Sequence, residues 1–520
     1  MGPSGMASVD WSRVLDLEPA VRNLGYESTG DWHRDPWGWP EYNFLLKDPT
    51  LLIEHCRARG VEPVSLVNVP KENWGTRPAV VLGLLDRLVY QALVDRVSVD
   101  LIGDLSPNVF GWRLPAVDPK AGRYAQNRYQ WQAYTSHMKL MGNVFEVALK
   151  TDIVSFFASI PIDHVVDNIE ERTPKNAVTA RLSDLLVGFD KHPLRSGLPQ
   201  RSSASSVIAN MYLAPVDEVL SDHAETIPGL GLSKLKYLSF ARWMDDIWLF
   251  GHEPASARQA QVELQEEAHG IGLHLNAAKT EVLEGEAVAA EALQIEHSAV
   301  DDAILNESDF VPLEELIDRL LDTPEKAGRT SIKFVVQRLF ENDRDYRWDE
   351  IIDLAYRMPH VADQWSRWFR HVFKRSWLQD WFLDYARSPW ATHEWSVVEY
   401  GRMFVASEKP RRSIRDFFLE RIHDSDASLP MLALGAQRSC AWDPGAGRAA
   451  CRTALRSARG PHERRVLVLA MLNAGETRAN ARRWLRGDDE NRATYAMLED
   501  SNYRIPRGTF PPARKGPRRS

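Results

Sequence analysis

At 520 residues, 44% apolar and 26% charged, the chain is too long for one ordinary core and too apolar for wholesale disorder, so a multi-domain globular protein is expected. Its net charge of -8 excludes a globally basic nucleic-acid binder and confines any such contact to a local surface. Cys56, Cys440 and Cys451 lack CxxC spacing, Met1 to Asp10 lack a signal-peptide pattern, and no stretch is apolar enough to span a bilayer, which together predict a soluble cytoplasmic protein without a disulfide framework.

Residues 1–50 read as an N-terminal extension. From Leu51 to Ile102 the pattern is helical, with Pro70 to Pro78 as a punctuated polar stretch ahead of the apolar run Val80 to Val97. Val144 to Leu149 is a β-prone run that ends at Lys150-Thr151-Asp152, and Ser159-Ile160-Pro161 then predicts a helix start. Two further strands, Tyr237 to Phe240 and Ile247 to Phe250, flank Trp243-Met244-Asp245-Asp246, which puts two acids at a hairpin tip. After about Val300 amphipathic segments recur: Leu313 to Leu321, Ser331 to Phe340, Trp348 to Arg357, Trp365 to Phe373, Arg412 to Ile422 and Arg464 to Leu472. Arg504 to Ser520 holds four prolines, six basic residues and no acid, the composition of a flexible basic tail. The expected division is 1–50, 51–295, an α-helical domain over 296–500, and the tail 501–520.

Nucleotidyl transfer uses two divalent cations, one at the attacking hydroxyl and one at the triphosphate. Magnesium takes hard oxygen ligands, commonly one or two carboxylates beside substrate phosphates. An acid at a strand end and two more at the tip of a neighbouring hairpin can supply them, and Asp152 and Asp245-Asp246 have those contexts in that order. An Asp-Asp pair alone is a weak signal, since acids are common in turns. The surrounding residues add more. Asp152-Ile153-Val154-Ser155-Phe156-Phe157-Ala158-Ser159-Ile160, Gly197-Leu198-Pro199-Gln200 with Ser202 to Leu213, Trp243-Met244-Asp245-Asp246, and Gly272-Leu273-His274-Leu275-Asn276 with Lys279-Thr280 resemble motifs A, B, C and D of reverse transcriptases, in family order. Arg77-Pro78 with Asp86-Arg87-Leu88-Val89, and Phe110-Gly111-Trp112-Arg113, extend the resemblance upstream, so that it covers roughly Pro70 to Leu283.

The resemblance implies an α+β fold: right-hand fingers and palm with an antiparallel palm sheet, followed by an all-α C-terminal domain whose helix spacing is similar to stacked HEAT-like pairs. It implies Asp152, Asp245 and Asp246 as ligands of Mg2+, with Mn2+ as the alternative, and Lys279 as the proton donor to departing pyrophosphate. Lys71 and Arg77 correspond to the fingers residues that hold triphosphate oxygens, and a guanidinium suits phosphate by donating two bonds at once. Ile153 and Gln200 would line the nucleotide pocket. Phe157 occupies the position that crowds a ribose 2′-hydroxyl, whereas strand alternation would turn Phe156 into the core. Two departures stand out: Arg201 replaces the glycine after Pro199-Gln200, and Trp243 replaces the tyrosine of motif C.

The implied substrates are dNTPs, the implied partners an RNA template or non-coding RNA and the DNA product, with no membrane and with a homo-oligomer allowed. Neither the Asn-Ala-x-x-His nor the Val-Thr-Gly element of retron enzymes occurs, and scattered cysteines do not make an intron-type endonuclease region. A palm followed by a long helical half resembles the defence-associated and abortive-infection reverse transcriptases of bacteria, some of which work without a conventional template or prime from a protein hydroxyl. The alternatives are a catalytically silent nucleic-acid-binding scaffold, which Arg201 favours, and an RNA polymerase on the same palm, which Phe157 disfavours. Trp365, Trp368, Trp377, Trp381, Trp390 and Trp395, interleaved with Arg367, Arg370, Lys374, Arg375 and Arg387, could stack single-stranded nucleic acid, but at helical spacing they read first as core plus a solvated face.

Overall fold

The computed structural model describes residues 9–28, 30–115, 122–191, 197–225, 238–292, 297, 300–301, 303–457 and 460–508. Tyr237, the boundary expected at 295/296 and tail residues 509–520 lie outside them. The chain divides into two compact units: Met1–Glu27, Leu52–Val61 and Leu84–Ala299 form the first, and Ser28–Leu51, Glu62–Gly83 and Val300–Ser520 the second.

The first unit is built on a five-stranded sheet of β3 (Val109–Phe110), β4 (Val147–Thr151), β5 (Phe240–Trp243), β6 (Asp246–Gly251) and β7 (Glu281–Glu284), in the order β3-β5-β6-β4-β7. β4 runs antiparallel to β6, with Thr151 opposite Ile247, and to β7, with Lys150 opposite Glu281. Both faces of the central strands are covered, which is why Ile247 to Phe250 is an unbroken apolar run instead of an alternating one. On one face Tyr134, Met138 and Met141 of the helix Asn127–Val144 pack with Phe145 against Ala148, Ala241, Trp248 and Phe250. The helix Pro254–Gly270 packs on β4 and β6. The helix Leu84–Ile102, apolar on almost every side, is enclosed by the helices Leu17–Glu27, Ala177–Asp190 and Ser203–Tyr212.

In the second unit, the helical reading of 51–102 fails between the helices Thr50–Ala58 and Leu84–Ile102. Ser65–Pro70 (β1) and Thr76–Val81 (β2) form an antiparallel hairpin there. Val67 and Val69 on β1, with Ala79 and Val81 on β2, alternate into the core, a period of two obscured by the flanking prolines and by the adjoining apolar run of Leu84 to Val97. All six amphipathic segments beyond Val300 are helical, the third finishing as a 3-10 turn at Ala355–Arg357 and Phe373 capping the fourth. Further helices intervene, among them Arg375–Arg387, Glu394–Gly401 and Leu429–Trp442. Trp365, Trp368, Trp381 and Trp395 are core residues, 6% exposed or less, while Trp377 and Trp390 reach solvent.

Arg465, fully enclosed, pairs with Asp35 at 2.7 Å and Glu41 at 2.8 Å and so ties the N-terminal segment to the helix Pro461–Asn473. Cys440 and Cys451, eleven residues apart on consecutive helices, meet with their sulfurs 3.8 Å apart and unbonded. Of the tail expected over 501–520, the described residues make specific contacts: Tyr503 donates to the Pro40 carbonyl at 2.7 Å and Gln437 to that of Gly508 at 2.7 Å. No helix among the described residues is long and apolar enough to cross a membrane.

Candidate active site

Asp152 follows the last residue of β4, and Met244-Asp245 make the turn between β5 and β6, so the pairing of those strands brings the three acids to one end of the sheet. Asp152 is also fixed from its other side. Its carbonyl accepts from Asn276 N at 2.7 Å, Ile153 bridges Leu275, and Val154 N donates to the His274 carbonyl at 2.9 Å. The segment 274–279 is thereby zipped to the chain after β4, and Lys279 Nζ donates to Asp152 Oδ2 at 2.6 Å. Thr151 and Thr280 hydroxyls close the same corner at 2.6 Å.

Crowding of three carboxylates has an electrostatic consequence. Desolvation, with the charges of Asp246 and Asp152, pushes Asp245 up to about 7. Asp246, though its side chain reaches solvent, is raised by desolvation at the turn and by Asp152, against the pull of Lys279 and Lys150. Burial would lower Lys279, but its bond to Asp152 and the charges of all three acids outweigh that and hold its proton more tightly. The site is therefore short of positive charge, and among the described residues Lys279 supplies the one cation bonded directly to these acids.

Among the described residues no group of three or more His, Cys, Asp or Glu is placed so that it could hold a metal ion. The donors nonetheless fit a magnesium-like ion, which dehydrates reluctantly and is held by one or two carboxylates with water and substrate phosphate completing its shell. Asp152 and Asp245 could hold it, with Asp246 adjacent.

The hairpin tip rests on a buried arginine that sequence reasoning passed over. Arg242, with no exposed surface, donates from Nε and Nη2 to both oxygens of Asp217 at 2.6 Å, and from Nη1 to Asn210 Oδ1 at 3.0 Å and the Met244 carbonyl at 3.1 Å. Met244 has φ +57, a left-handed conformation unusual for its type, so this donor secures a turn that the local sequence alone would not favour. Asn210 in turn donates to the Gly111 carbonyl at 3.1 Å. A lone arginine inside an apolar strand was the available signal, because a buried charge requires a partner. Trp243 packs edge-on against Trp131 with ring centres 5.1 Å apart, and β3 runs parallel beside it, Phe110 opposite Trp243. Arg113 organises the preceding loop by donating to the carbonyls of Val109 at 2.5 Å and Leu105 at 3.1 Å.

Other candidate residues fall in varied places. Phe156–Ser159 is a helical turn and not strand, so the expected alternation does not apply: Phe156 is buried and Phe157 half-buried, and their rings lie against each other with centres 5.2 Å apart. Leu198 N donates to the Phe157 carbonyl at 2.7 Å, and Gly197, at φ +69, leaves no room for a Cβ, which would lie 2.1 Å from that oxygen. Gln200 is half-buried in the next turn, and Ile153 is 2% exposed. Lys71 and Arg77 belong to the second unit: Lys71 N donates to the Gly75 carbonyl across the hairpin at 2.7 Å, and the Arg77 guanidinium lies 5.7 Å from the Trp32 ring centre.

Residues 69–334, just over half of the chain, match the family model of the reverse transcriptase (RNA-dependent DNA polymerase). The chain belongs to the reverse transcriptase family. The matched reverse transcriptase domain runs beyond Leu283, where the motif resemblance ended, into the helix Arg329–Glu341. No curated protein matches the chain. Within this reverse transcriptase, Arg201 stands at φ +60, where a glycine would be unstrained. Arg201→Gly is expected to raise unfolding stability by about 0.5–1 kcal/mol, read from urea denaturation; a loss of stability would show that contacts of the Arg201 side chain outweigh its backbone strain.

Proposed function

We propose that this protein is a DNA polymerase of reverse-transcriptase type, RNA-directed or untemplated and protein-primed, acting in bacterial anti-phage defence inside the cell. The observation that carries the polymerase reading is the meeting of Asp152 with the Asp245-Asp246 turn, Lys279 bonded at their edge. Two divalent cations, when bound, would activate the attacking hydroxyl and neutralise the triphosphate. The chain's own part is to orient those cations through Asp152 and Asp245, to keep a protonated Lys279 beside the leaving group, and to present Phe157 to the sugar. Gln200 and Ile153 would line the nucleotide pocket. The defence role is supported by the long helical region after the matched domain and by the missing retron and intron signatures.

The test is incubation of purified protein with magnesium and labelled dNTPs or NTPs, with and without RNA. Incorporation of dNTPs is expected, and product that survives denaturation but is released by protease would mark self-priming. If neither label enters polymer, the reading as a catalytically silent scaffold takes its place; the strained Arg201 at the motif B turn is the observation that favours that alternative. Phe157→Ala should lower the preference for dNTPs over NTPs by about tenfold or more, the scale of a lost steric contact in the transition state. Unchanged sugar selectivity would remove Phe157 from the gate.

A further inference from the structure

Away from the carboxylate site, the second unit contains an open cleft of about 480 Å³ lined by Asp353, Tyr356, Trp377, Asp380, Trp381, Asp384 and Trp390, with Arg357 at its edge. The helix Arg375–Arg387 supplies Trp377, Asp380, Trp381 and Asp384, whose spacing places them on one face. The lining is not an ordinary solvated surface. Trp377 and Trp390 are 40% and 43% exposed, large apolar rings open to water. Both are held: Trp377 stacks on Phe373 at 4.7 Å between ring centres, and Trp390 lies 5.6 Å from Trp74. Tyr356 stands edge-on to Trp381 at 5.7 Å, completing a rigid aromatic wall.

The charges of the lining are unbalanced. Asp380 is paired with Arg411 at 2.5 Å, and Arg357 is neutralised by Glu325 at 2.5 Å. Asp353 and Asp384 have no ion-pair partner among the described residues. Both face Tyr356, whose hydroxyl is pushed up to about 12 by burial and by the charges of Asp384 and Asp353. Two unpaired carboxylates and electron-rich ring faces converge on one cleft, which repels phosphate and attracts an organic cation. We propose that this cleft binds a primary ammonium or guanidinium group, carried by a free polyamine or by a lysine or arginine side chain. The ring faces take the cation's flat or aliphatic surface, and Asp353 and Asp384 take its N–H donors. The proposal is independent of polymerase activity and goes beyond it. It also assigns Trp377 and Trp390 to a cation instead of to single-stranded nucleic acid, whose backbone the carboxylates would oppose.

Calorimetric titration of the full-length protein at low ionic strength tests this with two probes, spermidine and a blocked glycine-arginine pentapeptide, and with an uncharged diol of spermidine's length as control. Saturable binding of either cation, and none of the diol, is expected. Saturation by spermidine alone identifies a polyamine site, saturation by the peptide a side-chain site, and by both a site that reads the charge alone. Asp384→Asn and Trp377→Ala should each weaken binding by about tenfold. Asp416→Asn, which alters an exposed acid outside the cleft, should leave it unchanged. Asp384 is exposed and unpaired among the described residues, so the unfolding curve of its variant should match wild type and separate lost binding from lost fold. Failure of both probes to saturate below about 10 mM, well weaker than any useful site, or binding that survives both cleft substitutions, overturns the proposal.

Discussion

Asp245→Asn is expected to cut nucleotide incorporation by at least about a thousandfold, the scale of losing a charged group that acts on the transition state, while making the metal-free protein more stable at pH 8. The second effect follows from proton linkage. Asp245 is raised to about 7 from 3.8, so the folded state binds its proton more tightly than the unfolded state does. Below 3.8 both states are protonated and the group costs nothing; as pH rises towards and through 7 the folded chain must carry a charge it disfavours. Asparagine removes that charge. Because Asp245 is half-buried and partly screened, the gain at pH 8 should be about 1–2 kcal/mol and should fade towards pH 4. Magnesium should stabilise wild type and not the variant. Thermal unfolding at pH 5 and 8, with and without magnesium, reads all of this; equal stability of the two proteins at both pH values would mean that the acids do not strain one another.

Arg242→Met is the second large effect. It would leave the Asp217 carboxylate unpaired in the interior and the Met244 carbonyl without its donor, at a cost of about 3–5 kcal/mol. Adding Asp217→Leu should recover most of that stability, since apolar groups of similar volume replace a buried ion pair at little cost. Incorporation should stay depressed by about tenfold or more in the double variant, because the left-handed Met244 turn still lacks its anchor. Urea unfolding of the four members of the cycle, with their incorporation rates, separates the two roles. Full activity in the double variant would reduce Arg242 to a fold residue.

These two residues also mark where sequence reading succeeds and stops. The strand before Asp152, the acids at a hairpin tip and the helices beyond Val300 were legible because each is a local pattern: a short β-prone run, turn chemistry or a period of 3.6. The β1–β2 hairpin was not, since its short alternation abuts an apolar helix and merges with it under a helical template. Nor could spacing reveal that Arg242 meets Asp217 and Asn210; those partners are set by how helices pack on the sheet, which no short window along the chain contains. Around the acids, Lys279 was legible as part of a motif, whereas its bond to Asp152 depends on the zipped segment 274–276.

The alternation of the two units along the chain bears on how the protein is made. Segments 28–51 and 62–83 leave the ribosome early but belong to a unit whose remaining residues begin at Val300. Val67 and Val69 of the hairpin, and Arg465's partners Asp35 and Glu41, must wait for more than half of the polypeptide to be synthesised before their burial is complete. A gene truncated after Ala299 therefore strands an apolar hairpin and two acids without their cover, the kind of nascent species that chaperones hold and that aggregates in their absence.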